Sequence, residues 1–280
     1  MTLLRRNLGT RGRKGAALMA ERTWQRALVT GASSGIGAAF CRELAAEGTD
    51  LVVVARDRAR LTSLGEALGA EHSVKAEVLA ADLADSLGLD EVAARIGDLG
   101  EPVDLVVNNA GFAISGDIAE VTADDIQAQI DLNISALARL TRSAIVAMVP
   151  QGRGSIVNIA SLAGLAPGPG IATYSATKAF VSSLGASLAA ELSGTGVTLT
   201  TVHPGFTRTE FQERSGYDPS RLPAVLWQRA DEVAAEALRA ARAGRSSVVT
   251  GIPNRVTASL LGFVPRSLQA RAVRTLSRVI

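Results

Sequence analysis

Thr30-Gly31-Ala32-Ser33-Ser34-Gly35-Ile36-Gly37 is the stretch whose reading decides the fold. It follows the apolar run Arg26–Thr30, expected to be a strand, and opens the Ala-rich stretch Gly35–Glu47, expected to be a helix. Glycines between a strand and a helix permit a tight turn, close approach of backbone to a pyrophosphate, and tight helix–strand packing. The freed N–H groups and the positive helix end then favour an anion. A lone glycine cluster is weak evidence, so the rest of the chain has to supply the context.

That context is a regular alternation. Further short runs rich in Val, Ile and Leu predict strands at Asp50–Ala55, Val74–Ala80, Val103–Val107, Ser155–Ala160, Thr198–Val202 and Ser246–Thr250. They are apolar at nearly every position, the pattern of strands buried on both faces. Helical stretches lie between them at Asp57–Leu68, Ser86–Ile96, Thr122–Met148, Thr173–Leu192 and Asp231–Ala243. Seven strands with helical crossovers predict an α/β Rossmann-type doubly wound parallel sheet with helices on both faces. One such domain is expected over 23–251, with a substrate loop at about 205–230 beyond the strand ends, a basic flexible extension over 1–22 and an amphipathic extension over 252–280.

Composition excludes several function classes. The chain has 280 residues, 47% hydrophobic and 20% charged, enough to bury a sizeable core. One Cys and two His provide neither a disulfide nor a soft-ligand metal cluster, so no metal and a reducing, cytoplasmic compartment are expected. Cys41 sits among apolar helical residues and reads as core. Five of the basic residues (Arg5, Arg6, Arg11, Arg13 and Lys14) fall in the first 20 positions, and without them the net +2 becomes −3. The basicity is that of a tail, which removes the case for nucleic acid. Met19 offers an alternative first residue. The uncharged run from Gly154 to Thr177 contains Asn158 and two prolines and reads as strand, loop and helix start, not as a membrane span. Leu268, Ala272, Leu276 and Val279 recur at helical spacing, with Arg271, Arg274 and Arg278 on another face, which fits a helix covering its own domain or a partner copy, or touching a membrane surface.

The end of the second strand separates two cofactors. A carboxylate there accepts from a ribose 2′-OH, whereas an Arg accommodates a 2′-phosphate. This strand ends Ala55-Arg56-Asp57, with Arg56 at the expected place and Asp57 positioned to cap the next helix, so NADP(H) is preferred over NAD(H).

Tyr174-Ser175-Ala176-Thr177-Lys178 then completes an ordered set. Asp82-Leu83 follows the third strand and Asn108-Asn109-Ala110-Gly111 the fourth. Asn133 lies in the next helix, Ser161 stands 13 residues before Tyr174, and Pro204-Gly205 closes the sixth strand. In these residues the chain resembles the smaller single-domain members of the short-chain dehydrogenase/reductase family, from about Trp24 to Gly251. The resemblance implies an oxidoreductase interconverting a carbonyl and an alcohol, with Asn133, Ser161, Tyr174 and Lys178 as catalytic residues. It also implies that the cofactor meets Gly31, Ser33, Ser34, Gly35, Ile36, Gly37, Arg56, Asp82, Leu83, Asn109, Ala110, Gly111, Tyr174, Lys178, Pro204, Gly205, Thr207 and Thr209. Members often carry an apolar residue where this chain has Thr207. A homodimer or homotetramer is implied as well.

The chemistry expected of these groups follows from their types. Lys178 falls one helical turn after Tyr174, so its ammonium is expected to lower the phenol's pKa and make Tyr174 a usable acid/base. Ser161 is expected to bond the substrate oxygen as negative charge grows there, and Asn133, by the resemblance, to hold a water leading to Lys178. His203, before Pro204, reads as a satisfied structural histidine. Phe206, Phe211, Tyr217, Leu222, Val225, Leu226 and Trp227 concentrate in the substrate loop and point to an apolar lid and an acyl, lipid or steroid-like small molecule. The alternative from another class is a non-catalytic NADP(H)-binding sensor or scaffold, for which a complete catalytic set has no chemical use.

Overall fold

Strands that are apolar on both faces need cover on both sides, and the chain supplies it by sending successive helices to opposite faces of one sheet. The computed structural model describes residues 24–215 and 224–262. The strands are β1 (Arg26–Thr30), β2 (Asp50–Ala55), β3 (Ala76–Ala80), β4 (Leu105–Asn108), β5 (Gly154–Ile159), β6 (Val197–His203) and β7 (Ser247–Val249). The helices are α1 (Gly35–Ala46), α2 (Arg58–His72), α3 (Ser86–Gly97), α4 (Ala123–Ile130), α5 (Leu137–Met148), α6 (Ala172–Glu191), α7 (Phe211–Ser215), α8 (Ala230–Arg242) and α9 (Ile252–Gly262). The basic extension, Tyr217 and Leu222 of the substrate loop, and the amphipathic pattern from Leu268 to Val279 lie outside the described residues.

The sheet has seven parallel strands in the order β3-β2-β1-β4-β5-β6-β7. Successive side chains along a strand face opposite ways, and the core divides accordingly. Val29, Val53, Val107 and Val157 pack with Phe40 and Leu44 of α1 and Ala237 and Leu238 of α8. Leu28, Val52, Val106 and Ile156 pack with Leu89 and Val92 of α3 and Leu140 and Met148 of α5. The chain order reverses between β1 and β4, which opens a crevice at the carboxyl ends of those strands, where ligands bind in doubly wound sheets.

β1 and β2 occupy the stretches expected for them. β4 starts two residues later than the apolar pattern indicates, because the Asp104 carboxylate turns back to accept from the N–H groups of Gln25 (2.9 Å) and Arg26 (3.0 Å). The expected single helix Thr122–Met148 is α4 and α5 joined through a π-helical segment, Asp131–Ala136, that contains Asn133. The stretch from Ala123 to Gln151 is long and apolar enough to cross a membrane by length and composition, yet Leu137, Leu140, Ala144 and Met148 bury its apolar face in the protein. One short addition escaped the sequence reading, α7 inside the substrate loop, while α9 follows β7 and opens the extension expected over 252–280.

Candidate active site

The glycine turn is held by the end of β4. Thr30 Oγ1 accepts from the N–H groups of Asn109 (2.9 Å) and Ala110 (3.0 Å), and Asn109 Nδ2 donates to Thr30 O (2.9 Å). Gly31 adopts φ +66°, and a Cβ there would stand 2.8 Å from Asn109 Nδ2. A Cβ on Gly37 would lie 2.1 Å from Gly31 O, so only glycine lets α1 start this close to the turn. Ser34 begins α1 with no side-chain cap bond, and the helix has no acidic residue in its first turn. The positive end of α1 is thus met by no acidic side chain of its own, an arrangement suited to a phosphate. Ser33 and Ile36 flank it, half-buried.

Beside this turn, the Arg56 side chain is 79% exposed and extends to within 3.9 Å of Asp82 Oδ2. Asp57 caps α2 by accepting from Arg60 N at 3.0 Å, as its position leads one to expect. That commits the Asp57 carboxylate to a helix and leaves the exposed Arg56, within ion-pair reach of Asp82, as the polar head at the end of β2. Asp82 accepts from Ala84 N (3.0 Å), and Leu83 is buried.

The four residues expected to do chemistry converge. Tyr174 and Lys178 lie one turn apart on α6, with the Lys178 Nζ 5.8 Å from the phenol ring centroid. Lys178 is 4% exposed and donates to Ile159 O at 2.8 Å, the last residue of β5. Ser161, two residues further, caps a 3-10 turn over Leu162–Gly164 by accepting from Ala163 N (3.1 Å). Asn133 is fully buried in the π segment; its Nδ2 donates to Phe112 O (2.9 Å) and Thr177 Oγ1 (3.2 Å), and its Oδ1 accepts from Phe112 N (3.1 Å). Gly111 closes the group, because a Cβ there would approach Asn133 Oδ1 to 2.9 Å and Lys178 Nζ to 3.5 Å.

Electrostatics correct one expectation. The Tyr174 phenol is not lowered by Lys178; burial pushes it up to about 12, opposed only in part by a hydrogen bond from Ser161. Burial also brings the Lys178 amine down to about 8. Lys178 is buried and Tyr174 half-buried, so each is driven toward its neutral form, and the Lys178 Nζ points to a backbone carbonyl and not to the phenol oxygen. His203 departs from expectation too. It is buried and its Nδ1 has no partner, and burial lowers its pKa and so favours the neutral ring, against the effect of a bond with the Ser161 backbone.

The segment after β6 covers the site. Pro204 O accepts from Leu162 N (3.0 Å), and Gly205 abuts Asn254 of α9. Thr207 Oγ1 donates to Gly205 O (3.1 Å), and Thr209 Oγ1 accepts from Phe211 N (3.2 Å), so both hydroxyls are engaged by their own loop. The methyl of Thr209 nonetheless reaches the glycine turn, 3.1 Å from where a Cβ of Gly35 would be. Phe211 of α7 stacks obliquely on Tyr174 at 5.8 Å, and Phe206 on Trp227 at 5.7 Å. Phe112, Thr177 and the Ile159 carbonyl hold Asn133 and Lys178 in place and were not found from sequence. Two of them act through backbone atoms, which no residue type announces.

A family model described as short chain dehydrogenase matches residues 25–219. Sulfoacetaldehyde reductase 2 of Chromohalobacter salexigens is 38% identical over 201 residues, which is 71% of this chain and 79% of the relative. Among solved structures, a short-chain dehydrogenase from Sphingobium yanoikuyae in complex with NADPH is 38% identical, with a TM-score of 0.76 over 86% of this chain and 96% of the other. The bulky-bulky ketone specific alcohol dehydrogenase from Comamonas testosteroni is 31% identical, with a TM-score of 0.74 over 87% and 96%. With the matched region spanning both the glycine turn and Tyr174 to Lys178, the chain belongs to the short-chain dehydrogenase/reductase family and is an oxidoreductase of that family.

Proposed function

We propose that the protein is an NADP(H)-dependent oxidoreductase that interconverts a ketone or aldehyde and its alcohol, with Tyr174 as the general acid/base. The observation that carries this is the convergence of Tyr174, Ser161, Lys178 and Asn133 beside a glycine turn whose helix end is open to an anion. The residues fit the cofactor. The turn from Gly31 to Gly37 would hold its diphosphate, Arg56 its 2′-phosphate, and Asp82 and Leu83 would border its adenine. Asn109, Ala110, Gly111, Pro204, Gly205, Thr207 and Thr209 would line the remainder of the crevice. The Sphingobium relative, solved with NADPH, supports the same choice.

When bound, the cofactor supplies or accepts the hydride at carbon. Everything else falls to the chain. Ser161 donates a hydrogen bond to the substrate oxygen where negative charge accumulates. Tyr174, protonated at neutral pH because burial holds its phenol near 12, hands that oxygen a proton in reduction and removes it in oxidation. Lys178, still mainly charged at pH 7 with its amine near 8, offsets the negative charge left on the phenolate. Asn133 fixes the Phe112 segment and Thr177, and so the turn of α6 that carries both groups.

The substrate reading rests on the lid. Phe211 against Tyr174, and Phe206 paired with Trp227, put aromatic surface over the catalytic group and favour an apolar acyl, lipid or steroid-like carbonyl compound. The relatives named above act on unlike carbonyl compounds, a sulfonated aldehyde and a bulky ketone, so the lid of this chain carries the assignment. A homo-oligomer is also proposed, supported by exposed Val146 on α5 and Phe180 on α6 and by a cleft between those helices lined by Ile145, Leu184 and Leu188 with Arg142 and Glu191. A reducing cytoplasm is also proposed, supported by the single cysteine of the sequence, Cys41, which is buried and free. The test is NADPH oxidation by a panel of apolar ketones. Consumption that depends on both ketone and protein supports the reading, and none with any ketone or aldehyde contradicts it.

A further inference from the structure

Gln129, on the last turn of α4, is fully buried, and only half of its amide is used. Its Nε2 donates to Phe112 O at 3.3 Å, the carbonyl that also accepts from Asn133 one turn later. Its Oε1 is buried with no hydrogen-bond partner. An acceptor left unmet in the interior disfavours the fold that contains it, and such groups call for an explanation.

The surroundings supply one. Gln129 lines a cavity whose other walls include Ile114, Ile118, Val121, Ile126 and Thr173, the last adjacent in sequence to Tyr174. The cavity has room for about one water-sized group, such as a hydroxyl. Two segments that frame it are tied by Gly116 N donating to Gly170 O (2.9 Å), and Ser115 N donates to Ser215 O (3.2 Å) at the end of α7. A buried acceptor without a partner in a mostly apolar wall, one that Thr173 ties to the segment carrying Tyr174, is the arrangement by which a pocket picks out a donor on an otherwise apolar ligand.

We infer that Gln129 is a specificity-determining residue whose Oε1 accepts a hydrogen bond from a hydroxyl on the substrate, away from the carbonyl that is reduced. The preferred substrate is then a hydroxyketone with an apolar frame. This deepens the proposed function and rests on it. A site built to bond a hydroxyl discriminates strongly against the analogue that lacks it, because the buried polar group is left unpaired.

The experiment compares a series of alkan-2-ones with alkan-2-ones carrying one hydroxyl at successive carbons, each reduced with NADPH by the wild-type protein and by Gln129→Leu and Gln129→Met. The quantity read is the ratio of kcat/KM for each hydroxyketone to that for its parent ketone. At least one position is expected to give a ratio of about tenfold or more in the wild type, falling to about one in both variants, with the change in KM rather than kcat. Ligand-free Gln129→Leu is expected to melt no lower than the wild type, since it removes an unmet acceptor. Ratios near one throughout in the wild type, or a ratio that survives in the variants, overturn the inference. Failure to reduce any ketone would count against the proposed function; the melting comparison then decides the inference, with a clearly lower melting temperature overturning it as a structural role for the amide.

Discussion

Replacing Lys178 by methionine is expected to stabilise the ligand-free protein at neutral pH while destroying its activity. Burial lowers the amine from 10.5 to about 8, and each pH unit of lowering corresponds to about 1.4 kcal/mol. Below pH 8 the amine is charged in both folded and unfolded chains, so the folded state carries the full burden of about 3 kcal/mol. Between about 8 and 10.5 the unfolded chain binds more protons than the folded one, and stability rises with pH. Tyr174 works in the opposite sense only above pH 10, where the unfolded phenol ionises and the folded one, near 12, does not. Methionine keeps the apolar stem but forfeits the charge-assisted bond to Ile159 O, worth about 1.5–3 kcal/mol. The variant should therefore exceed the wild type by up to about 1.5 kcal/mol at pH 7, and the difference should move by about 2 kcal/mol in favour of the wild type by about pH 9.5. Urea unfolding of both proteins across that range measures it directly. A difference that stays constant with pH would refute the reasoning, because the cost of the buried charge would then lie elsewhere.

Three other outcomes are expected. Arg56→Ala should weaken NADPH binding about 10- to 100-fold, as fits the loss of a charge-assisted bond of about 1.5–3 kcal/mol, while NADH binding changes little; fluorescence titration checks both. Gly37→Ala should abolish nucleotide binding and lower the melting temperature, since its Cβ would have to occupy space 2.1 Å from Gly31 O. Reductive kcat/KM should be level through neutral pH and fall above about 8 as Lys178 loses its proton, with no break from Tyr174 below pH 10; a pH–rate profile checks it.

The sheet was legible because its strands state their burial in composition. Runs such as Leu51 to Val54 are apolar at every position, and β1 and β2 fall where those runs do. The candidate catalytic residues were legible through their order along the chain, and the structure brings them together. The π segment was not, because Asp131 to Ala136 keeps the composition of a helix and only the hydrogen-bond spacing changes. The direction of the Tyr174 shift was also misread. Sequence places a lysine one turn away, but the outcome depends on how dry the site is and on where the Nζ points, both set by packing against Ile159 and Phe211. Gln129 went unnoticed for a related reason. In sequence it is one polar residue on an acidic, exposed-looking helix, and only burial reveals an acceptor without a donor.

The central claim is that the protein reduces a carbonyl with a proton from Tyr174, and the most direct measurement compares the wild type with Tyr174→Phe in NADPH-dependent ketone reduction, with NADPH binding measured on both. The account predicts that the variant folds and binds NADPH within a few-fold of the wild type while its kcat falls by about 10²–10⁴. A variant that binds NADPH and retains turnover within tenfold of the wild type would contradict it.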